Sequence, residues 1–378
     1  MSKLLSFFQA LETELLDWLS LLINTDSPSN HKLELDQLIH WFSTQFSSDG
    51  AQIRMVDQPD CANHLLARWH ASEPLEQQVL ILGHVDTVWP LGESERRPAR
   101  LEEGRVFGPG AFDMRGGLTL VLGLSRFLAQ HRSQLKSQVT VLLTSDEEVG
   151  SPSSRAVIEE EARQSRLVLV VEPCLPGGAL KTSRKGVGNF TIKVRGIAAH
   201  AGVDYSKGVS AILELSHQIQ QLYTLNDLAK GTTINVGQIR GGTRSNVIAE
   251  QAEMEVDIRV TSAAEGKRLT EKVKHLTPVQ PGAQLEISGG MNRPPFERTE
   301  SIIQIFKRAQ RLAMELDISL EEGSTGGGSD GCFTAALGVP TLDGLGPDGA
   351  GPHALHEHVV AKSLVPRAAL LAQLALHL

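Results

Sequence analysis

Two residues at the end of an apolar run raise the first chemical question. In VLILGHVDTVWP, residues 79–90, a strand-like stretch stops at Gly83 and is followed by His84 and Asp86. GPGAFDMRGG carries Asp113 in a glycine-flanked loop, TSDEEVGS carries Asp146, Glu147 and Glu148 after a second apolar run, and LVLVVEPC ends its run on Glu172. Late in the chain GPHALHEHV supplies His353, His356 and His358. Taken singly, each is what a strand end greeting solvent looks like, and paired glutamates at a helix start commonly just answer its dipole. Taken together they share a place, because His84, Glu147, Glu148 and Glu172 all close predicted strands. In an open α/β sheet, ligands sit outside the carboxyl ends of the strands. Several carboxylates in one crevice repel each other and resist desolvation unless cations hold them. Imidazole and carboxylate donors without thiolate suit zinc, with manganese or cobalt as alternatives, and a shared carboxylate can hold two ions about 3.5–4 Å apart. Asp86 is placed to orient the His84 ring, since residues two apart on a strand share a face.

The elements that would position these residues follow from apolar spacing. The N-terminal stretch MSKLLSFFQALETELLDWLSLLIN reads as one amphipathic helix, because Glu12, Glu14 and Asp17 interrupt it at helical spacing and no cleavage site follows. Cap-like Asp26 and Ser27 open a second helix. Strands are predicted at 52–56, 64–69, 79–82, 139–145 and 167–172, with helices at about 118–130 and 153–162. Strands buried on both faces alternating with helices describe an α/β domain with a mixed, largely parallel sheet flanked by helices. Near Lys185 the pattern changes to alternating strands and two helices in the order βαββαβ, a ferredoxin-like unit over 185–291. The helix, short strand and Gly-rich loop that follow lack enough sheet for a core of their own. They are therefore expected to complete the first domain, making it discontinuous over 1–184 and 292–378.

Composition narrows the class. A length of 378 residues favours two domains. A net charge of -8 with a pI near 5.9 argues against a nucleic-acid or anionic-membrane surface. Three scattered cysteines without a CxxC pair suggest neither a disulfide framework nor a thiolate zinc site, and point to a reducing, cytoplasmic setting. No run approaches the roughly 20 apolar residues that span a bilayer.

The five motifs GHVDTV, GPGAFDMRGG, TSDEEVGS, VEP and GPHALHEHV, in this order and with the insertion between the last two, resemble the di-zinc aminoacylase and carboxypeptidase superfamily of metallopeptidases. That family includes acetylornithine deacetylase, succinyl-diaminopimelate desuccinylase and glutamate carboxypeptidase. The resemblance implies two zinc ions per chain, bridged by Asp113, with His84 and Glu172 on one ion and Glu148 and His353 on the other. His353 is preferred to His356 and His358 because the family ligand precedes a glutamate by four positions, and Glu357 stands four after His353. Met114 departs from the pattern: several relatives carry an acidic residue there, and members often have a cis peptide at that bond. Glu147 is implied as the general base that takes a proton from the attacking water and returns it to the leaving amine. His200, in GIAAHAG, resembles a family histidine that reaches the partner subunit's active site and stabilises the oxyanion, which implies a homodimer through the inserted domain.

Asn246, Arg259 and Arg293 match residues that face the substrate in relatives of the glutamate carboxypeptidase branch. Arginine suits a carboxylate because its fork bonds both oxygens, although Arg259 could equally pair with Asp257. The loop 326–330 could bring N–H groups near substrate at a helix start, and either Lys181 or Lys185 could approach it. The wording near GHVDTVWP, GPHALHEHV and Arg293 is more similar to that branch than to the deacetylases. The expectation is therefore a metal-dependent hydrolase that cleaves a peptide or N-acyl amide bond of a small substrate and releases a C-terminal, acidic amino acid. The alternatives are an N-acyl-amino-acid deacylase on the same centre and, outside catalysis, a metal-free dimeric binding protein.

Overall fold

In the strand Gln78–His84 every residue is buried. Val79 and Ile81 join one apolar cluster, whereas Leu80 and Leu82 join another. Its neighbours divide in the same way: Val139, Val141, Leu167 and Leu169 go to the first cluster, Leu142, Val168 and Val170 to the second. Period-two alternation with both faces apolar marks strands covered by helices on each side. The structure, a computed structural model, describes residues 3–70, 78–135 and 137–378.

These strands belong to a sheet ordered Gln52–Val56, His64–Trp69, Gln138–Thr144, Gln78–His84, Ser165–Val170, Thr341–Leu342. The pairings among the last four strands are parallel, and those made by the first two are antiparallel. One face packs against helices that include Glu12–Ile23, Lys32–Ser48, Gly116–His131 and the C-terminal Leu364–His377. Arg155–Arg163 and Gly331–Ala336 cover the other. At Gly117 an added Cβ would stand 1.9 Å from the Val171 carbonyl oxygen, so only glycine lets the Gly116–His131 helix lie this close to the chain leaving the Ser165–Val170 strand.

The chain divides into two compact units, one of residues Met1–Ser183, Arg298–Ser324 and Ser329–Leu378, the other of Arg184–Glu297 and Thr325–Gly328. In the second unit, strands Gly186–Arg195, Thr233–Gly241, Gln251–Val260 and Gln284–Arg293 alternate with helices Ala211–Tyr223 and Ala263–Lys274 in the order βαββαβ. All pairings are antiparallel. Leu215 and Leu222 from one helix and Leu269 and Val273 from the other pack into a single core with Phe190, Ile192, Met254 and Val256. Ser210 and Ser262 cap the two helices through bonds from the N–H groups of Leu213 and Glu265.

Two local expectations need correction. The N-terminal helix is broken at Leu11 into Lys3–Ala10 and Glu12–Ile23. The next helix begins at Lys32, not beside Asp26 and Ser27. Asp26 instead accepts from the N–H groups of Gly92 and Ser94, at the start of the short helix Glu93–Arg96. Ser27 donates to the Val85 carbonyl. A residue suited to capping served a turn distant in sequence. Among the described residues no helix is long and apolar enough to cross a membrane.

Candidate metal centre

Register brings the site together. His84 lies opposite Thr144 and Leu82 opposite Val170, so three parallel strands end at nearly one level. His84 is the last residue of its strand. Glu147 and Glu148 open a 3-10 turn three residues beyond the second, and Glu172 follows the third by two. Asp113 arrives from the loop ahead of the Gly116–His131 helix, across a cis Asp113–Met114 peptide bond. Met114 is buried, and its sulfur accepts the His84 N–H at 3.2 Å. His353 has φ 61°, a left-handed conformation that non-glycine residues adopt at a cost.

The side chains converge in two groups. His84 Nε2 is 3.3 Å from Asp113 Oδ1 and 3.5 Å from Glu172 Oε1. His353 Nε2 is 3.2 Å from Glu148 Oε2 and 3.5 Å from Asp113 Oδ2. Each Asp113 oxygen thus faces a different imidazole. His84, Asp113 and Glu172 form one set able to hold an ion, and Asp113, Glu148 and His353 a second, with donor atoms of each within 4.8 Å of one another. Among the described residues, neither His356 nor His358 joins them. The His358 ring packs against Phe107.

Electrostatics favour positive charge between these groups. Burial pulls the His84 imidazole down, but Asp113, Asp86 and Glu172 outweigh it and hold it well above its ordinary value. Asp113 and Glu148 push His353 up to about 10. Burial pushes Glu148 up, and its Oε1 is buried with no hydrogen-bond partner. Three carboxylates, one of them with an orphaned oxygen, fit divalent cations, and oxygen and imidazole donors fit zinc, cobalt or manganese. Cys174, two residues past Glu172, is occupied elsewhere, donating to the Pro347 carbonyl.

Asp86 does more than the sequence suggested, and by another route. It lies beyond the strand, so no shared strand face aligns it. Its Oδ1 is 3.3 Å from His84 Nδ1 and accepts the Glu147 N–H at 3.2 Å. Its Oδ2 accepts the Glu148 N–H at 3.0 Å and the Ser29 hydroxyl at 2.7 Å. One buried residue therefore sets both the imidazole, whose Nδ1 bonds the Asp86 main-chain carbonyl at 3.0 Å beside the carboxylate, and, through its two carboxylate oxygens, the turn that carries the two glutamates. Burial would raise its pKa, but His84, Ser29 and the Glu148 N–H hold it below the ordinary range.

Behind that turn lies a chain of bonds that sequence reasoning missed. The Ser145 N–H donates to His64 Nδ1 at 3.3 Å, and His64 Nε2 is 3.1 Å from the Ser153 hydroxyl. Ser153 donates in turn to Asp146 at 2.7 Å. A lone histidine inside a strand gives no sign of this.

The remaining candidates lie mostly in the second unit. His200 is exposed, and its Nδ1 accepts the N–H groups of Gly202 and Val203 at 3.1 and 3.2 Å. The ring proton is thereby assigned to Nε2. Asn246 is exposed and its carbonyl accepts the Ala201 N–H. Arg259 pairs with Asp257, Nε to Oδ1 at 2.9 Å and Nη2 to Oδ2 at 2.8 Å. Arg293 is buried at the end of its strand. Lys181 is buried in the first unit, whereas Lys185 is half-buried in the second. In the loop 326–330 the carbonyls of Gly327 and Gly328 accept from Arg184, and Asp330 accepts from Thr144 at 3.1 Å.

Comparison with known proteins places the chain in a family. The model of the peptidase family M20/M25/M40 matches residues 80–377. Carboxypeptidase G2 of Pseudomonas sp. (strain RS-16) is 30% identical over 297 residues, 77% of this chain and 71% of that protein. Succinyl-diaminopimelate desuccinylase of Acidovorax ebreus (strain TPSY) is 29% identical over 322 residues, 79% and 80% of the two. Among solved structures, a tripeptidase from Staphylococcus aureus subsp. aureus Mu50 superposes with a TM-score of 0.78 at 22% identity, over 96% of this chain and 97% of that one. A dinuclear metal binding peptidase of the M20 family from Bacillus subtilis gives 0.71 at 18%, over 97% and 98%. At these identities the two structures speak to fold.

Proposed function

The chain belongs to the peptidase family M20/M25/M40, and from that premise we propose that it is a two-metal hydrolase that frees a C-terminal, acidic amino acid from a peptide or N-acyl amide. The observation that carries the reading is the division of Asp113 between two ligand sets, one oxygen facing His84 and the other His353. His84 and Glu172 would hold one ion, Glu148 and His353 the other, with Asp113 between them, and zinc is the first choice. Two such cations, when bound, would polarise the scissile carbonyl and make water acidic enough to lose a proton near neutrality.

The chain's own residues supply the rest. Glu147 accepts the proton of the attacking water and passes it to the leaving amine, so that a carboxylate and a free amine depart. Asp86 supports this role by holding the Glu147 N–H with its carboxylate and the His84 ring with its main-chain carbonyl. Arg259 and Arg293 are assigned the substrate carboxylate, because the guanidinium fork can bond both of its oxygens. Asn246 would assist them. His200 carries its proton on Nε2, the tautomer an oxyanion donor needs, and is assigned to the partner subunit's site in a homodimer formed through the inserted unit. A monomeric mass in sedimentation equilibrium would remove that last part. Cys61, Cys174 and Cys332 are joined by no disulfide, which supports a cytoplasmic setting.

The 29% identity to a desuccinylase supports a second reading, deacylation of an N-acylamino acid on the same centre. One experiment separates the two. Protein loaded with zinc, manganese or cobalt is assayed against N-acylamino acids, dipeptides, and pteroyl or benzoyl glutamates. Release of glutamate from the aryl or peptide substrates is expected, and preference for simple N-acylamino acids would transfer the assignment to the second reading. Glu147→Ala should keep its metal and lose about 10²–10⁴-fold in kcat. No hydrolysis by any metal form would end both readings.

A further inference from the structure

The structure assigns a positioning role to Glu357, as the residue that fixes the three loops bearing His84, Asp113 and His353 so that they meet at the metals. This rests on the two-metal reading above. Glu357 is 1% exposed. Its Oε1 accepts the N–H groups of Phe112 at 3.0 Å and of Asp113 at 2.9 Å. Its Oε2 accepts the Gly110 N–H at 2.8 Å and the Trp89 indole N–H at 3.0 Å.

The donors come from different places. Trp89 lies on the loop that leaves His84, and the three backbone donors lie on the loop that delivers Asp113, including the N–H of Asp113 itself. Glu357 brings the third loop, because it follows His353 by four residues and its own N–H bonds the Ala354 carbonyl at 3.0 Å. Its carbonyl also receives the Gly108 N–H at 3.3 Å. The Arg97 guanidinium, stacked 4.2 Å over the Trp89 ring, bonds the Leu355 carbonyl and draws the first and third loops together again.

Only a glutamate meets these demands. An ionised carboxylate offers about four acceptor positions on two oxygens, and here all four receive N–H hydrogens. Glutamine accepts on one side only and would turn an NH₂ group toward the Gly110 and Trp89 donors. Aspartate is one methylene short. Since the two Asp113 oxygens must face different imidazoles, a small rotation of its peptide would disturb both ligand sets together. The left-handed His353 needs the loop behind it anchored for the same reason.

The test compares Glu357→Gln, Glu357→Ala and Trp89→Phe with the unaltered protein. Metal affinity and stoichiometry are measured by calorimetry with zinc, and the visible spectrum is recorded after loading with cobalt. Glu357→Gln and Glu357→Ala should bind metal about 10–100-fold more weakly, with an altered cobalt spectrum. Trp89→Phe, which removes one donor and keeps the carboxylate, should show a smaller loss in the same direction. If Glu357→Ala fails to fold, the other two variants decide. Folded variants that take up both equivalents with unchanged affinity and spectrum would overturn the assignment. Failure of the unaltered protein to bind metal would instead count against the two-metal reading.

Discussion

His64 has two ring nitrogens with opposite duties: Nδ1 receives the Ser145 N–H, and Nε2 meets the hydroxyl of Ser153, which passes its own hydrogen to Asp146. Only the neutral ring can do both. Burial accordingly lowers its pKa from the ordinary 6.5, against the raising pull of Asp146, Asp330 and Asp86. In the unfolded chain the ring therefore takes a proton more readily. Its contribution to stability is complete above about pH 6.5 and is lost as the pH falls through that value toward the lower folded one. His64→Asn should thus flatten the slope of melting temperature against pH over about pH 5–7, and an unchanged slope would show that His64 plays no part in it. The same reasoning shows what could be read at this scale. The five metal-facing residues were legible because carboxylates and imidazoles advertise themselves by type. The duties of His64 and Glu357, and the hold of Asp86 on the Glu147 and Glu148 N–H groups, were hidden, since their partners are largely main-chain N–H groups, which every sequence supplies.

Elements were legible where burial alone decides them. The strands Gln52–Val56 and His64–Trp69 fall where the apolar pattern put them, and the inner strands differ from expectation by a residue or two at their ends. The misplaced helix start at Asp26 has a physical reason: an aspartate suited to one cap can serve any turn whose N–H groups come within reach. Gly117 carries a sharper consequence. The Gly116–His131 helix follows the Asp113 loop, and it rests directly on the Val171 carbonyl, one residue before Glu172. Gly117→Ala must push the two apart. It should cost about 1–3 kcal/mol in stability by denaturant unfolding and weaken metal binding at the His84, Asp113 and Glu172 set. Alanine tolerated with full stability and metal content would mean that this contact is slack.

Across the whole molecule, the five metal-facing residues all belong to one unit, while the other has its own core. Metal should therefore stabilise unevenly. At a free concentration 100 times Kd a bound ion contributes about 2.7 kcal/mol, which for a unit of this size is roughly 5–10 °C in melting temperature. Calorimetry before and after chelation should show one transition falling by that amount for each ion removed and a second left in place. Two transitions moving together would mean that the units melt as one. The discontinuity of the first unit also has a consequence in time. His84, Asp113, Glu148 and Glu172 precede the inserted unit in sequence, and His353 follows it with Glu357 close behind. On the ribosome the inserted unit is nearly whole once Glu297 has been made, whereas the metal centre must wait for His353, roughly 3–11 s later at about 5–20 residues per second. A nascent chain thus exposes a half-built ring of acids beside a finished neighbour, and full metal uptake becomes one of the last acts of its synthesis.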